Sequence, residues 1–377
     1  MSVYVASHSI LSPFGLGSAT TFDALVQGNS AVVYNEDPEL SPIPFFVSKI
    51  QDELIEPMKV DGITRLESMM MQTILDALKK FPEADLRNKD SLLILSTTKG
   101  NIDLLADTRP VQLGGFAKER SYLSSVAETL GKTFRCANTP IVVSNACISG
   151  GNALQLAKTF LDAGRYKNVV VCGGDVITEF VVSGFRSFHA LSESRCKPFD
   201  DNRDGINLGE AAACMVLSST PSEISLIGAA TSNDANHISG PSRTGEGLYL
   251  AIGNAMKEAN KEASDIRYIS AHGTATAYND EMESIAFDRR GLNEAFVNSF
   301  KAYVGHTLGA AGILESILAV SCLKENLVIE SLGYDYHGVS RKIEIIEYTR
   351  KRMLKTILKT GSGFGGGNNA LIFEKNQ

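Results

Sequence analysis

Residues 143–151, VSNACISGG, connect a short apolar run to a series of small residues. Residues 141–144 predict a buried strand, and residues 150–164 carry apolar side chains at helical spacing. Cys147 is therefore predicted to lie on a strand-to-helix turn, at the N-terminus of a helix. There the helix dipole and the free backbone N–H groups favour a thiolate and can bind an oxyanion. The segment thus predicts a nucleophilic cysteine with a lowered pKa.

Two further segments each present a histidine among small residues: SAHGTATAYND at 270–280 and FKAYVGHTLGAAG at 300–312. We expect an apolar strand to lead into each histidine, and the small residues that follow leave room for a substrate. As neutral imidazoles, His272 and His306 can donate hydrogen bonds to one developing enolate oxygen. The other histidines are interpreted as structural or solvent-exposed: His8, His189, His237 and His337.

The remaining cysteines fit structural roles better than chemical ones. Cys172 and Cys214 lie in apolar runs, and no cysteines are spaced as CxxC. A zinc site or a disulfide framework is therefore not indicated, and no metal is expected. These cysteines are Cys136, Cys172, Cys196, Cys214 and Cys322.

Composition favours a cytoplasmic enzyme with a large core. The chain has 377 residues, of which 44% are hydrophobic, and a net charge of −7. The negative charge and the absence of basic runs argue against nucleic acid as a partner. The N-terminal residues do not resemble a signal peptide, and no apolar run is long enough for membrane insertion.

Strand and helix patterns alternate along the chain, which predicts an α/β fold with parallel sheets covered by helices. A break in the apolar pattern at Ser219–Glu223 divides the chain into two similar parts, 1–220 and 221–377. The predicted strands are 2–7, 92–97, 141–145, 168–173, 212–218, 224–230, 267–271, 300–304, 354–360 and 369–374.

The motifs and their order resemble those of the β-ketoacyl-acyl-carrier-protein synthases, the elongating condensing enzymes of fatty-acid and polyketide synthesis. The resemblance extends from about Ala6 to Phe373. Besides the three segments above, it rests on residues 196–217, CKPFDDNRDGINLGEAAACMVL, and residues 361–373, GSGFGGGNNALIF. It implies the thiolase-like fold, in which two pseudo-symmetric halves form five αβαβα layers.

The resemblance also implies the chemistry of the site. Cys147 would accept an acyl chain from a carrier-protein thioester, and His272 and His306 would assist the decarboxylation of a malonyl thioester. Lys301 would organise the site. Glu315 and Asp280 would be its supporting ionic partners. The backbone N–H groups of Cys147 and Phe364 would bind the oxyanion, and the Phe364 ring would gate access to the thiol. Thr274 and Thr276 would contact the pantetheine arm.

The implied partner is an acyl carrier protein, whose phosphopantetheine carries the substrates, so no separate cofactor is expected. Because carrier proteins are acidic, docking requires a local cationic patch, and the family match nominates Arg65, Arg195 and Lys197. Solvated surface charges remain the alternative for each. The family also implies a homodimer, or a heterodimer with a chain-length partner.

Some positions depart from the family pattern and bear on the substrate. Lys99 lies near an expected apolar pocket position, and Ser362 replaces a common aromatic residue. The stretch between Thr98 and Cys147, where the family has residues of the acyl pocket and the dimer contact, is short. A fatty-acid, polyene or polyketide chain is compatible with the sequence.

Two other functions are considered. A non-catalytic chain-length partner would have the same fold, but such relatives characteristically lack the nucleophilic cysteine, whereas Cys147 is present here. Gly361, Gly363 and Gly366 formally match GxGxxG, a fingerprint of dinucleotide-dependent oxidoreductases. That fingerprint opens a helix, whereas the residues after Gly366 have the pattern of a strand, which argues against this function.

Overall fold

The structure is a computed structural model that describes residues 2–105 and 117–376. Ten of its strands form two sets of five. The first set is β1 Tyr4–Ser12, β2 Ser91–Ser96, β3 Ile141–Val143, β4 Asn168–Asp175 and β5 Ala211–Ser218. The second set is β6 Ile224–Asn233, β7 Tyr268–Ser270, β8 Phe296–Asn298, β9 Thr356–Gly363 and β10 Gly367–Lys375.

The two sets have the same topology. The strand order is β1-β5-β4-β2-β3 in the first and β6-β10-β9-β7-β8 in the second. In the first set β2 pairs parallel with β3 and β4, and in the second set β7 pairs parallel with β8 and β9. The last strand of each set, β5 or β10, pairs antiparallel with both of its neighbours in that set. A single antiparallel pair, Tyr4 opposite Ser225, joins them into one mixed sheet. The repeat gives the chain two pseudo-symmetric halves.

Eight helices of nine or more residues in the described part of the chain pack around these strands. They are α1 Ser18–Val26, α2 Arg65–Lys80, α3 Leu123–Thr133, α4 Ser149–Asp162, α5 Glu179–Ser187, α6 Glu246–Ala259, α7 Ala277–Arg289 and α8 Ala311–Glu325. Helices α4 and α8 contact each other and strands of both halves, α2 packs on β1, β5 and β4, and α6 packs on β6 and β10. This arrangement produces five alternating layers.

Shorter elements complete the connections between these layers. The short strands are Gly15–Leu16, Val33–Asn35, Phe45–Ser48, Leu208–Gly209, Leu327–Val328, Glu344–Ile345 and Arg350–Lys351. The one-turn α-helices are Asp52–Ile55 and Lys301–Val304, and the 3-10 turns are Glu56–Met58, Pro82–Ala84, Ile102–Leu105, Lys118–Ser121, Ala263–Asp265 and Leu308–Ala310.

The central helices approach each other closely at their N-termini through glycine. Helix α8 is apolar on nearly all sides, as expected for a helix enclosed by other layers. A Cβ on Gly312 would lie 2.3 Å from the backbone nitrogen of Gly151, and one on Gly150 would lie 3.0 Å from the carbonyl oxygen of Gly309. Only residues without side chains permit this contact, which brings together the helix starts of the two halves.

Two expectations from the sequence are wrong in detail. The sheet is mixed rather than parallel, because the last two strands of each half form antiparallel pairs. Residues 300–304 form the short helix Lys301–Val304, and the strand lies before it at Phe296–Asn298. A buried helical turn and a buried strand both appear as a short apolar run, so periodicity does not distinguish them.

The break at Ser219–Glu223 is a loop, since β5 ends at Ser218 and β6 begins at Ile224. The division into domains 1–220 and 221–377 stays a prediction. Within residues 2–105 and 117–376, no helix has the length and apolar content needed to cross a membrane. The cytoplasmic location likewise stays a prediction from the sequence.

The glycine contact between the central helices leads to a stability prediction. We expect Gly312→Ala to lower the free energy of unfolding by about 1–3 kcal/mol, because the added methyl group must displace backbone. Gly184→Ala is the matched control: it lies in helix α5 with no atom within 4 Å of the new Cβ. Chemical denaturation of both variants measures the difference, and equal stabilities would contradict the close contact.

Candidate active site

Cys147 lies on the turn between β3, which ends at Val143, and α4, which begins at Ser149. The turn is tight, because Ala146 adopts a positive φ of 44°. The backbone N–H of Asn145 donates to Ser149 Oγ at 2.8 Å, and that hydroxyl donates to the Ala146 carbonyl at 2.6 Å. These bonds fix the thiol at the predicted strand-to-helix junction.

The resting thiol does not have the lowered pKa expected from the sequence. Burial raises the pKa of Cys147, while the charges of Lys99 and Lys301 and the N–H of Phe364 act in the opposite direction. Desolvation opposes formation of the thiolate more strongly than these groups favour it. Acylation of this thiol therefore needs a proton acceptor close to sulfur.

His272 follows β7 and is held through its backbone. Its N–H donates to Glu283 Oε1 at 2.8 Å, and its carbonyl accepts from Lys301 Nζ at 2.5 Å. The next residue, Gly273, has a positive φ of 47°, and a Cβ there would lie 2.5 Å from the Ser299 Cβ. A glycine is thus needed after His272 because of its positive φ and the nearby Ser299, in addition to the room that a small residue leaves for a substrate.

His306 reaches the site from the short helix Lys301–Val304. Between them Gly305 has a positive φ of 68°, and a Cβ there would lie 2.3 Å from the Leu208 carbonyl oxygen. The His306 N–H donates to the Asn207 carbonyl at 2.7 Å. Both ring nitrogens are buried without a hydrogen-bond partner among the described residues. The imidazole is therefore available to a ligand.

The three predicted reacting groups converge. The Cys147 Sγ and one nitrogen each of His272 and His306 lie within 4.8 Å of one another, and the two imidazole centroids are 5.4 Å apart. Burial and the nearby charges of Lys301 and Lys359 hold the pKa of both imidazoles well below 6.5. At neutral pH both rings are neutral and able to donate or accept a proton.

A thiol and two imidazoles are also groups that can bind zinc. Lys301 and Lys359, however, create a positive potential at both imidazoles, which disfavours a dication as it disfavours imidazolium. The arrangement fits hydrogen-bond donation better than metal binding. A metal-free site stays our prediction.

Beneath His272 lies a buried group that we call the lysine–glutamate cluster: Lys301, Lys359, Glu315 and Glu283. Lys301 Nζ and Lys359 Nζ each lie 2.7 Å from one oxygen of the Glu315 carboxylate. Burial alone would raise the pKa of Glu315, but the two ammonium groups outweigh it and hold that pKa below its ordinary value. The Lys301–Glu315 contact is the one expected from the sequence.

Glu283 binds the backbone on the opposite side. Its carboxylate accepts from the N–H groups of His272 and Gly273 at 2.8 and 2.6 Å, and from the side chains of Asn279 and Thr360 at 2.9 and 3.1 Å. Burial raises the pKa of this carboxyl. The peptide groups around His272 are thus bound to lysine through their carbonyls and to glutamate through their N–H groups.

Lys359 and Glu283 are not among the site residues predicted from the sequence. Lys359 lies within the predicted strand 354–360, and a lysine between apolar and small residues is itself a signal, because a buried charge requires a partner. Glu283 lies three residues after Asp280 on α7, so the two carboxylates follow the histidine motif at helical spacing. Each pattern can be read from the neighbouring sequence and indicates a buried charge, but neither shows which residues bind Lys359 or Glu283.

Asp280 does not ion-pair with Lys301, in contrast to the expectation. Its carboxylate accepts from the N–H groups of Thr274 and Phe199 at 3.0 and 2.7 Å. Burial and the neighbouring Glu283 raise the pKa of Asp280 to about 7. Asp280 therefore stabilises the loop after His272, because its carboxylate accepts hydrogen bonds from backbone N–H groups.

A cavity of about 480 Å³ opens from the reacting groups to the surface. Thr274, Thr276 and Ser362 line it together with Cys147 and both histidines. The Thr274 and Thr276 hydroxyls are 2.8 Å apart, and Ser362 Oγ donates to the Asn368 side-chain oxygen at 2.8 Å. The two threonines are thus positioned along the wall of the cavity that leads to the thiol.

Phe364 lies beside the thiol, at the turn between β9 and β10. Its N–H faces the Cys147 sulfur. Its ring stacks on Phe185 at a centroid distance of 5.7 Å and meets Phe188 edge-on at 5.3 Å. Phe364 thus lies where its N–H can reach the sulfur, and its roles as oxyanion donor and gate stay predictions.

Lys99 is half-buried, and its ammonium donates to Thr98 Oγ1 at 2.6 Å. Its charge lowers the pKa of both Cys147 and His306. The side chain therefore influences the site without lining the cavity described above. Of the stretch in which acyl-pocket residues were expected, 106–116 lie outside the described residues.

Arg65 is engaged inside the protein. Its guanidinium donates to Glu210 at 2.9 Å, to Asp52 at 2.7 Å and to the Ile50 carbonyl at 2.6 Å. These ion pairs offset its charge, which argues against the docking role expected from the sequence.

The other two docking candidates lie in a segment attached to the cavity wall. Arg195 is exposed and Lys197 is half-buried. In the same segment, Ser192 Oγ donates to Asp204 Oδ1 at 2.5 Å, and Asp204 lines the cavity. The segment is thus linked to the cavity wall through Asp204.

The glycines that formally match a dinucleotide fingerprint belong to a β-hairpin. Gly361 and Gly363 lie in β9, and Gly366 lies in the turn that leads into β10. Strand β10, rather than a helix, follows them. A nucleotide phosphate would thus lack the helix N-terminus that this fingerprint provides, and the oxidoreductase interpretation is wrong.

Comparison with known proteins identifies both halves. The family model described as "Beta-ketoacyl synthase, N-terminal domain" matches residues 54–222, and the one described as "Beta-ketoacyl synthase, C-terminal domain" matches residues 224–335. The chain is 28% identical to 3-oxoacyl-[acyl-carrier-protein] synthase 2 of Rhizobium meliloti, over 99% of this chain and 98% of the relative.

A polyketide enzyme and a solved structure are also similar to the chain. The ketoacyl synthase alpha subunit of the tetracenomycin polyketide synthase of Streptomyces glaucescens is 31% identical over 62% of this chain and 59% of its own. The ketosynthase ApeO of Xenorhabdus doucetiae, solved with its chain length factor ApeC, matches with a TM-score of 0.83 and 23% identity, over 100% of this chain and 98% of that chain. The thiolase-like fold is thereby confirmed.

The shared carboxylate of Glu315 yields a prediction about stability. We expect Glu315→Gln to lower the free energy of unfolding by about 3–5 kcal/mol, since it leaves two buried ammonium groups without an anion. Glu325→Gln at the end of the same helix is the control, because its side chain is 61% exposed and lies 3.9 Å from Lys351. Denaturant titration of both proteins is the measurement, and a small loss at Glu315 would contradict the proposed charge balance.

Proposed function

The chain belongs to the β-ketoacyl synthase family, and we propose that it condenses a Cys147-bound acyl chain with malonyl-acyl-carrier protein in a decarboxylative Claisen reaction. The observation that carries this proposal is the convergence of the Cys147 sulfur with the His272 and His306 nitrogens within 4.8 Å. The family makes the chain an acyltransferase. The roles of individual residues are our proposal.

In the first half-reaction, the Cys147 sulfur attacks the thioester carbonyl of an acyl chain on the carrier protein. A neutral imidazole accepts the thiol proton as the carbon–sulfur bond forms and then donates it to the departing pantetheine thiolate, so the proton and the charge are conserved. The N–H groups of Cys147 and Phe364 stabilise the intermediate oxyanion. Because the thiol pKa is raised and the imidazole pKa is low, the thiol proton moves only as the carbon–sulfur bond forms.

In the second half-reaction, a malonyl thioester loses CO₂ and its carbonyl oxygen becomes an enolate. His272 and His306 donate hydrogen bonds to that oxygen, and their low pKa keeps them neutral before the charge develops. The enolate carbon then attacks the acyl carbonyl, and the bond between that carbonyl and the Cys147 sulfur breaks. The product is a β-ketoacyl thioester on the carrier protein.

The substrates require no separate cofactor, because phosphopantetheine on the carrier protein holds both chains. Thr274 and Thr276 are proposed to bind its arm, since both line the cavity that leads to the thiol. The polyketide and fatty-acid relatives support a polyketide, polyene or fatty-acid chain as substrate.

We further propose that the chain works as a dimer, either with itself or with a chain-length partner. The relative ApeO was solved with its chain length factor, which supports the second form. The non-catalytic role is disfavoured for this chain, because a subunit without chemistry has no need for the convergence at Cys147.

Single substitutions separate the two half-reactions. We expect Cys147→Ala to abolish acyl-enzyme formation and condensation while decarboxylation of malonyl thioester continues, because decarboxylation requires the imidazoles. His272→Ala and His306→Ala should each lower condensation by a factor on the order of 10² or more. Intact-mass measurement follows acylation and CO₂ release follows decarboxylation. A stable acyl adduct on Cys147→Ala, or near-normal turnover of either histidine variant, would contradict the assignment.

Docking of the carrier protein is tested by charge reversal near the entrance. We expect Arg195→Glu with Lys197→Glu to raise the KM for carrier-bound substrate and to leave a small pantetheine thioester unaffected, because only the carrier presents an acidic surface. Lys132→Glu with Lys351→Glu, at exposed positions on other elements, is the control. Equal losses with both substrates would exclude these residues as docking contacts.

A further inference from the structure

Lys359 is a fully buried lysine on β9 that the mechanism above does not use. We propose that Lys359 is a positioning residue for the imidazole pair: it fixes the backbone that carries His272 and adds positive charge beneath both rings. This inference rests on the proposed function, since it concerns the step at which the imidazoles stabilise an enolate.

The contacts of Lys359 are all with oxygen atoms. Its Nζ lies 2.7 Å from Glu315 Oε2 and donates to the carbonyls of Ser270 and Ala271 at 3.3 and 3.4 Å, and to the carbonyl of Thr360. A neutral amine would direct a lone pair toward one of these acceptors. The surroundings therefore fit an ammonium, although burial lowers the pKa of this group.

Lys359 and Lys301 bind successive backbone carbonyls at the end of β7. Lys359 binds the carbonyls of Ser270 and Ala271, and Lys301 binds the next one, that of His272. Three consecutive carbonyls at the end of β7 thus point at ammonium groups. A shift of this segment would move the His272 ring relative to the Cys147 sulfur, so Lys359 acts on the imidazole through the chain that carries it.

The charge count distinguishes Lys359 from Lys301. Glu315 offers one negative charge, which Lys301 alone would neutralise, so the second ammonium leaves these three groups with a net charge of +1. Glu283, when ionised, brings the lysine–glutamate cluster to a formal charge of zero, but its carboxylate accepts from N–H groups of the loop rather than from either ammonium. Lys359 acts as a positive charge on both imidazoles, so an enolate that forms there meets a field to which Lys359 contributes.

Other charged groups act on the same rings. Lys301 lowers the pKa of both imidazoles, His306 lowers that of His272, and Lys99 lowers that of His306. Lys359 acts in the same direction on both. Because a neighbouring cation disfavours imidazolium, its removal raises the pKa of each ring, and activity is then lost at a higher pH on the acid side.

The experiment compares Lys359→Met, which removes the charge, with Lys359→Arg, which keeps it. The control is Lys158→Met, since Lys158 is also buried and ion-paired, with Asp162 and Glu258, but lies outside the site. CO₂ release from a malonyl thioester is measured as a function of pH in a Cys147→Ala background, which isolates decarboxylation from acylation. Thermal unfolding of each variant is measured in parallel.

We expect Lys359→Met to lower the maximal rate on the order of tenfold or more and to move the acid limb upward by about one pH unit, as for the loss of a nearby charge. Lys359→Arg should keep the wild-type limb, and Lys158→Met should change only stability. If Lys359→Met does not fold, Lys359→Gln replaces it, with the same expected shift.

An acid limb that stays in place in the uncharged variant, or that moves equally in Lys359→Arg, overturns the role of Lys359. A rate loss that Lys158→Met reproduces would show that general destabilisation is the cause, and it also overturns the inference. Failure of the proposed function gives a different result, because the parent protein would then release no CO₂ at all.

Discussion

One carboxylate, that of Glu315, underlies the organisation of this site. It lies on the central helix α8, where water cannot solvate it, and it ion-pairs with both Lys301 and Lys359. An unpaired charge at this depth would be prohibitively costly, so the three groups have to assemble as the layers close. Through the two ammonium groups, the ion pairs extend to the carbonyls that precede and include His272. The position of an imidazole thus depends on a charge in the core.

Electrostatics also explains why the site contains both a buried thiol and neutral histidines. Desolvation raises the pKa of Cys147 and lowers that of His272 and His306, so all three groups are uncharged at rest. Charge develops only when substrate is bound, first on sulfur or on the acyl oxygen and then on the enolate. Preorganised N–H groups and imidazoles then stabilise that charge without a reorganisation of solvent.

The three residues that converge could be predicted from the sequence, whereas most of the residues that hold them in place could not. Cys147, His272 and His306 each stand beside small residues, and such a local pattern can be read without knowledge of the fold. The role of Lys359 depends on Glu315, 44 positions earlier in the numbering of the chain, and no local pattern reports such a contact. Residues 300–304 were mistaken for a strand because a single buried turn has no measurable period. Arg65 looked like a free cation because Glu210, its partner, is distant in sequence.

The repeated strand order has a consequence for how the site is divided. Cys147 follows β3 and His306 follows β8, and these two strands hold the same place in their halves. Lys99 and His272 likewise follow β2 and β7, a second pair of equivalent strands. The backbone thus offers a nearly two-fold symmetric arrangement of four loop positions, and the side chains alone break that symmetry. The direction of acyl transfer, with a nucleophile on one side and proton donors on the other, is encoded in this difference between equivalent loops.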